Sequence, residues 1–185
     1  LLVAVCMMIT MLPLSAVTAF AEDTSTVHEA NDGEGIYKYA YTVNNGNATI
    51  TKFLGPVDSE GNVDSTNDGP YNITIPDKLG GHPVTGLGEH SFSTEDNGSP
   101  LYDIHHHNIQ SVTIPESVTS IGRQAFYLTD LNTLTIKGPI KSMGYAAFAG
   151  CTNLTSLSLY DGIQTIGEGA FINSTSLEAV TIPQS

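Results

Sequence analysis

Basic side chains are scarce in this sequence. Its 185 residues include six lysines and arginines against 19 aspartates and glutamates, which gives a formal net charge of −13. Nucleic acids and anionic membranes both need a basic patch on their protein partner, so the composition argues against either. The acidic residues are concentrated early, because residues 22–103 hold 14 of them with three lysines. This part of the chain therefore repels anions and can attract cations.

The sequence has one long apolar run, at its start. Residues 1–9 are almost wholly apolar, and Ala19-Phe20-Ala21 forms a small-x-small cleavage site before Glu22. These features predict a secretory signal peptide over residues 1–21, partial because no initiator Met or basic region precedes it. A membrane anchor is the alternative, but Pro13 leaves the run short for a span. We expect a secreted or cell-surface protein with no membrane insertion after signal cleavage.

Cysteine is also rare, with two in the sequence. Cys6 lies within the predicted signal peptide and follows Val5, where a lipoprotein signal has a small residue. Cys151 is then the sole cysteine of the mature chain, so a disulfide framework is excluded. No Cys/His signature surrounds Cys151, which favours a small, half-buried packing residue over a catalytic thiol.

Sequence motifs of catalysis are missing. The chain has no nucleophile elbow, phosphate-binding loop, H-E-x-x-H zinc motif or paired cysteines. We therefore predict that it is not an enzyme and that it has no cofactor. One cluster has metal-binding chemistry: Asp103, His105 and His107 would share one face of a strand and could bind a transition metal. The alternative is a solvated, titratable run of histidines in a loop.

A pattern of about two dozen residues does recur. It is written three times between residues 111 and 183 and begun a fourth time, with 22 or 23 residues between equivalent positions. Self-similarity at this period is typical of repeat architectures, in which each unit packs only on its neighbours. The recurring strand and aromatic positions are Ile114, Ile136, Leu159 and Ile182, and Phe126, Phe148 and Phe171.

The pattern within each copy predicts how the chain folds. An L-x-x-L-x-L series places alternate apolar residues on one side of a short strand, and Pro or Gly ends it. A second segment follows with Gly where the backbone must bend or approach its neighbour. An Ala-Phe pair on a short helical turn completes the copy, with Phe stacked on Phe. We predict an α/β, β-rich leucine-rich repeat solenoid of short parallel strands.

The N-terminal part differs from the repeats. Residues 22–35 are acidic and polar, and we expect a mobile leader. Two β-rich runs flank Asn45-Gly46, the strongest hairpin signal in the chain, and predict a β-hairpin cap. An acidic loop completes this region, residues 36–69. Alternating oxygen ligands from Asp58 to Asp64 allow a calcium loop, whereas a solvated loop is the default because the EF-hand register is incomplete.

Residues 70–185 hold the repeats, and we expect the array to be truncated at the C-terminus, because residues 181–185 match residues 113–117 and the copy stops there. The first copy is altered, with five residues inserted around Gly80-Gly81 and a second insertion over residues 93–108. Insertions project from one face of a repeat array and carry its individual character.

At these residues the chain resembles the BspA-like (Treponema pallidum type) leucine-rich repeat family, whose unit is similar to L-x-x-I-x-I-P-x-x-V-x-x-I-G-x-x-A-F-x-x-C. Cys151 occupies the Cys position of that unit, and Lys137-Gly138-Pro139 departs from its Ile-Pro. The resemblance implies exported or surface-attached bacterial proteins, several of them adhesins, without catalytic residues in the repeat. We therefore expect a module that binds an extracellular protein or glycan. The alternatives are an accessory region of a longer secreted enzyme and a passive stalk.

Overall fold

The computed structural model describes residues 26–94 and 108–182. Strands and turns make up these two ranges, which contain no α-helix. The strands in chain order are β1 (His28–Asn31), β2 (Tyr37–Asn44), β3 (Asn47–Pro56), β4 (Tyr71–Thr74), β5 (Lys78–Leu79), β6 (His82–Leu87), β7 (Ile109–Ile114), β8 (Ser120–Ile121), β9 (Thr133–Ile136), β10 (Ser142–Met143), β11 (Ser156–Ser158), β12 (Thr165–Ile166) and β13 (Ala179–Thr181).

A long sheet joins the N-terminal part to the repeats. Its order is β1-β2-β3-β6-β8-β10-β12, with the short β5 beside β6. The strands from β3 onward along this order pair in parallel. In the repeats, Ile121 and Ile166 flank Met143 in register. The N-terminal strands therefore continue the sheet that the repeats build.

The hairpin predicted around Asn45-Gly46 is present. β2 and β3 pair antiparallel, and Asn44 and Asn47 close the turn. Asn45 and Gly46 have φ angles of 50° and 76°, the left-handed conformation that two-residue hairpin turns require and that Asn and Gly tolerate best.

His28–Asn31 corrects the expectation of a mobile leader over residues 22–35. These residues form β1, which pairs antiparallel with β2. The outer edge of β2 offers unpaired backbone groups, and β1 satisfies them. The ring of His28 also stacks on Tyr41, with centroids 5.4 Å apart. The polarity of these residues, on which the expectation of a mobile leader rested, does not indicate this pairing.

The first strand segments of the repeats form two smaller sheets. One has the order β4-β7-β9 and the other pairs β11 with β13, all in parallel. The predicted apolar ladders are confirmed, since Val112 lies between Ile73 and Leu134 in register and Ile114 pairs with Ile136. Their inward side chains join those of the long sheet in a single hydrophobic core.

Stacked phenylalanine rings run through that core. Phe92, Phe126, Phe148 and Phe171 follow one another with centroids 4.9, 5.0 and 5.9 Å apart and nearly parallel planes. This confirms the predicted stack. Phe53 of the hairpin extends it, since its ring lies 5.7 Å from that of Phe92 at an angle of 17°.

The glycine of each repeat allows two backbones to touch. A Cβ atom on Gly144 would lie 2.5 Å from the carbonyl carbon of Gly122, and one on Gly167 would lie 2.4 Å from that of Gly144. Real Cβ atoms do not approach so closely, so only glycine permits this packing. The predicted close approach is confirmed.

The short helical turns predicted at the Ala-Phe pairs are not confirmed. These segments are hydrogen-bonded turns. Left-handed residues interrupt them, including Gln124 and Leu128 in one copy and Ala146 and Gly150 in the next, with φ between 50° and 73°. A residue in this conformation ends a right-handed helix, which explains why none forms.

The predicted signal peptide, residues 1–21, lies outside the described residues. In the two described ranges, we find no helix with the length and apolar character needed to cross a membrane.

Candidate binding face

The predicted metal ligands Asp103, His105 and His107 lie outside the described residues. The metal site therefore stays a prediction. Within residues 26–94 and 108–182, no three His, Cys, Asp or Glu side chains are grouped so that they could hold a metal ion.

The carboxylates of the acidic loop hold its turns. The backbone amides of Glu60 and Asn62 each donate to Oδ1 of Asp58 at 2.9 Å. Thr66 donates to Oδ1 of Asp64 from its amide at 2.9 Å and from its hydroxyl at 2.6 Å. These local bonds are typical of Asx turns. They favour the solvated loop over the calcium loop as the interpretation of this segment.

Cys151 is a packing residue, and it is fully buried rather than half-buried. Its thiol donates to the carbonyl oxygen of Phe126 at 3.1 Å and lies 3.4 Å from the hydroxyl of Thr129. Burial raises the pKa of the thiol to about 11, and the bond to Thr129 opposes this only in part. The thiol is therefore protonated at neutral pH, which is unsuitable for a nucleophile.

Small uncharged side chains cover the outer surface of the two smaller sheets. They alternate with the buried ladder residues, as the period of a strand requires. Most are exposed, and the rest are half-buried. We call this surface the hydroxyl face. It comprises Asn72 and Thr74 on β4, Ser111 and Thr113 on β7, Thr133 and Thr135 on β9, Ser156 and Ser158 on β11, and Ala179 and Thr181 on β13.

The hydroxyl face is rich in hydrogen-bonding capacity and free of charge. Each Ser or Thr hydroxyl can donate one hydrogen bond and accept two. Neighbouring strands already bond to each other across it, since Ser111 donates to the side-chain oxygen of Asn72 at 2.6 Å. None of its ten side chains is ionisable. The face can therefore pair with neutral polar groups without a charge to desolvate.

The backbone ladder beneath this face is interrupted between β9 and β11. On one side of the break, the amide of Asn132 donates to Gln110 at 3.0 Å, and on the other the amide of Glu178 donates to Thr155 at 2.9 Å. Among the described residues, β9 and β11 share no ladder bond and belong to different sheets. The facing edges of the two strands therefore lack the parallel ladder that joins the other neighbouring strands of these sheets.

A cleft of about 410 Å³ lies at this break. Its size falls within the range of about 300–1,000 Å³ that is usual for small-molecule sites. Tyr160, which is 51% exposed, lies at the cleft. The lining residues are Leu134, Thr135, Ile136, Ser156, Ser158, Leu159 and Tyr160.

The cleft has no counterpart in the predictions from the repeat pattern. The one local departure near it is in the turn after β9, where Lys137 takes the proline position of the unit and Gly138 follows it. A Cβ atom on Gly138 would lie 2.7 Å from Cα of Glu116, whereas one on Gly162, in the next turn, would meet nothing within 4 Å. Gly138 therefore lets the β9 turn pack tightly on the preceding repeat, whereas Gly162 faces open space.

Comparisons with known proteins agree with the repeat architecture described above. The family model described as "BspA type Leucine rich repeat region (6 copies)" matches residues 104–185. The altered first copy lies before this range, although its strands β4 and β6 pair with repeat strands β7 and β8. No curated protein matches the chain.

Two solved structures are similar to it. A leucine-rich repeat protein from Bacteroides capillosus ATCC 29799 is 25% identical, with a TM-score of 0.58 over 79% of this chain and 94% of that one. A leucine-rich cell surface protein from Faecalibacterium prausnitzii A2-165 is 26% identical, with a TM-score of 0.51 over 87% of this chain. The chain spans 44% of that second protein. The resemblance found in the sequence is confirmed, and residues 104–185 are a BspA-type leucine-rich repeat region.

Proposed function

We propose that this chain is the recognition module of an exported bacterial protein and that its hydroxyl face binds an extracellular protein or glycan. The observation that carries the proposal is the face itself: ten outward positions on five strands, all small and uncharged. A surface without a binding role has no need to avoid charge, and Lys and Glu are common at such positions.

The repeats supply a rigid support for this face. Inward ladder residues such as Ile73 and Val112 are buried, and the phenylalanine stack fixes one repeat on the next. We propose that the repeats build a solenoid and that the hairpin caps its N-terminal end. The pairing of β3 with β6 and the stacking of Phe53 on Phe92 support the cap. Rigid elements lower the entropic cost of binding.

Surface location is part of the proposal. The similar protein from Faecalibacterium prausnitzii is described as a cell surface protein, which supports the same location here. We propose that residues 1–21 act as a signal peptide and that the exported chain begins near Glu22. Mass spectrometry of the exported N-terminus would test this, and an uncleaved N-terminus would contradict it.

The repeat region is proposed to bind without catalysis. The matching family model describes a repeat region, and the buried, protonated thiol of Cys151 supports a packing role. The proposed binding therefore depends on shape and hydrogen bonding alone.

A panel of immobilised extracellular-matrix proteins and neutral glycans tests the function. Thr74→Lys/Thr135→Lys places two charges on the hydroxyl face and is expected to weaken binding at least about tenfold, because each charge must be desolvated. Thr152→Lys/Thr165→Lys is the matched control, since both threonines are exposed and neither lies on the face. Circular dichroism would establish that both variants fold. Absence of any specific capture would favour a passive stalk.

A further inference from the structure

The cleft between β9 and β11 has the chemistry of a small neutral site. Its lining combines three apolar side chains, Leu134, Ile136 and Leu159, with the hydroxyls of Thr135, Ser156 and Ser158. Tyr160 is the one ionisable residue in the lining, which contains no Asp, Glu, Lys, Arg or His. A charged ligand would find no counter-charge in this lining.

Backbone groups add to the polar capacity of the cleft. The facing edges of β9 and β11 share no ladder, unlike the other neighbouring strands of these sheets, so their amides and carbonyls can serve as donors and acceptors for a ligand. Donors and acceptors thus occur side by side in one pocket, together with hydroxyls that can act as either.

An added peptide strand does not fit the break. Paired strands lie about 4.8 Å apart, so a strand inserted between β9 and β11 would need them roughly 9.6 Å apart. Their Cα atoms approach within 8 Å of each other. A ligand must therefore enter from the hydroxyl face rather than complete the sheet.

We propose that this cleft binds a neutral saccharide unit, an inference that rests on the proposed role of the hydroxyl face in recognition. A sugar ring carries several hydroxyls that each donate and accept, which matches the mixed donors and acceptors of the lining. Its C–H face is apolar and can pack on the exposed ring of Tyr160 and on the apolar side chains of the lining. The absence of counter-charge in the lining selects against acidic sugars.

Isothermal titration calorimetry with free saccharides tests the assignment. The probes are N-acetylglucosamine, lactose and maltose as neutral sugars, sialyllactose as an acidic one, and a neutral Ser/Thr-rich peptide. We expect at least one neutral sugar to bind, sialyllactose to bind at least about tenfold more weakly, and the peptide not to displace the sugar. Sialyllactose binding as tight as that of lactose, or displacement by the peptide, would overturn the proposal.

Two variants locate the binding. Tyr160→Ala is expected to weaken sugar binding about tenfold, and Tyr160→Phe to retain most of it because the ring remains. Tyr145→Ala is the matched control, because Tyr145 is similarly exposed (49%) and lies outside the cleft lining. An equal loss in Tyr145→Ala would contradict the site.

The outcome also separates this inference from the proposed function. If no sugar binds but the panel of matrix proteins and glycans still binds the face, the saccharide site is wrong and the recognition role survives. If neither binds, both are wrong.

Discussion

The rings of Phe126 and Phe148 stack almost parallel, with centroids 5.0 Å apart and planes inclined by 5°. Both are fully buried, and Phe92 and Phe171 continue the stack on either side. Each ring is therefore packed by the repeat before it and the repeat after it, so the stack couples neighbouring repeats.

Removing one ring from the middle of this stack should be costly. Phe148→Ala is expected to lower the free energy of unfolding by about 3–5 kcal/mol, because it deletes buried aromatic surface and leaves a cavity between two rings. Chemical denaturation monitored by circular dichroism measures this. Tyr145→Ala is the control, with an expected change of less than about 1 kcal/mol because its ring is half exposed and contacts Arg123 at the surface. Equal stabilities of parent and Phe148→Ala would refute the coupling.

The backbone contact between the equivalent glycines Gly122, Gly144 and Gly167 gives a second test. A methyl group on Gly144 would meet the backbone of Gly122 and Arg123 at 2.5 Å, so Gly144→Ala must push two repeats apart. We expect a loss of about 1–3 kcal/mol in the free energy of unfolding. Gly33→Ala is the matched control, since a Cβ atom there meets nothing within 4 Å. Identical melting temperatures for the two variants would argue against close backbone packing.

Cys151 links stability to pH. Its native pKa is about 11, against an ordinary value of 9.0, so above pH 9 the unfolded chain releases a proton that the native chain keeps. The protonated thiol of Cys151 therefore contributes its full share of the folding stability below pH 9, and this share is lost as the pH rises through 11. The parent protein should therefore lose stability more steeply between pH 9 and 11 than Cys151→Ala. Parallel stability curves for the two proteins would show that the native thiol titrates normally.

The repeats could be predicted because they are local and periodic. Each position of the recurring unit has a characteristic residue. Examples are the alternating apolar residues Val112 and Ile114, the glycine Gly122 and the phenylalanine Phe126. Packing between equivalent positions then follows from stacking the units. The Asn45-Gly46 hairpin was predictable for a similar reason, because its turn conformation is set by the two residues themselves.

Long-range pairings were beyond the sequence pattern. Nothing near Phe53 indicates that its ring continues the stack, since this depends on β3 pairing with β6. The interruption between β9 and β11 is likewise absent from the local pattern of either strand, since it concerns the pairing of two repeats. The helical turns are missing because residues such as Gln124 and Ala146 adopt left-handed backbone angles. Residue propensities do not predict these angles, since non-glycine residues adopt them only where the surrounding structure requires it.

The most direct test of the account is a hydrogen-exchange footprint of the chain bound to the tightest-binding member of the matrix-protein and glycan panel. If the hydroxyl face is the binding surface, amide exchange slows on binding in peptides that cover β4, β7, β9 and β11, beneath that face, and is unchanged in β8, β10 and β12. Protection confined to β8, β10 and β12 would contradict the assignment of the hydroxyl face as the binding surface.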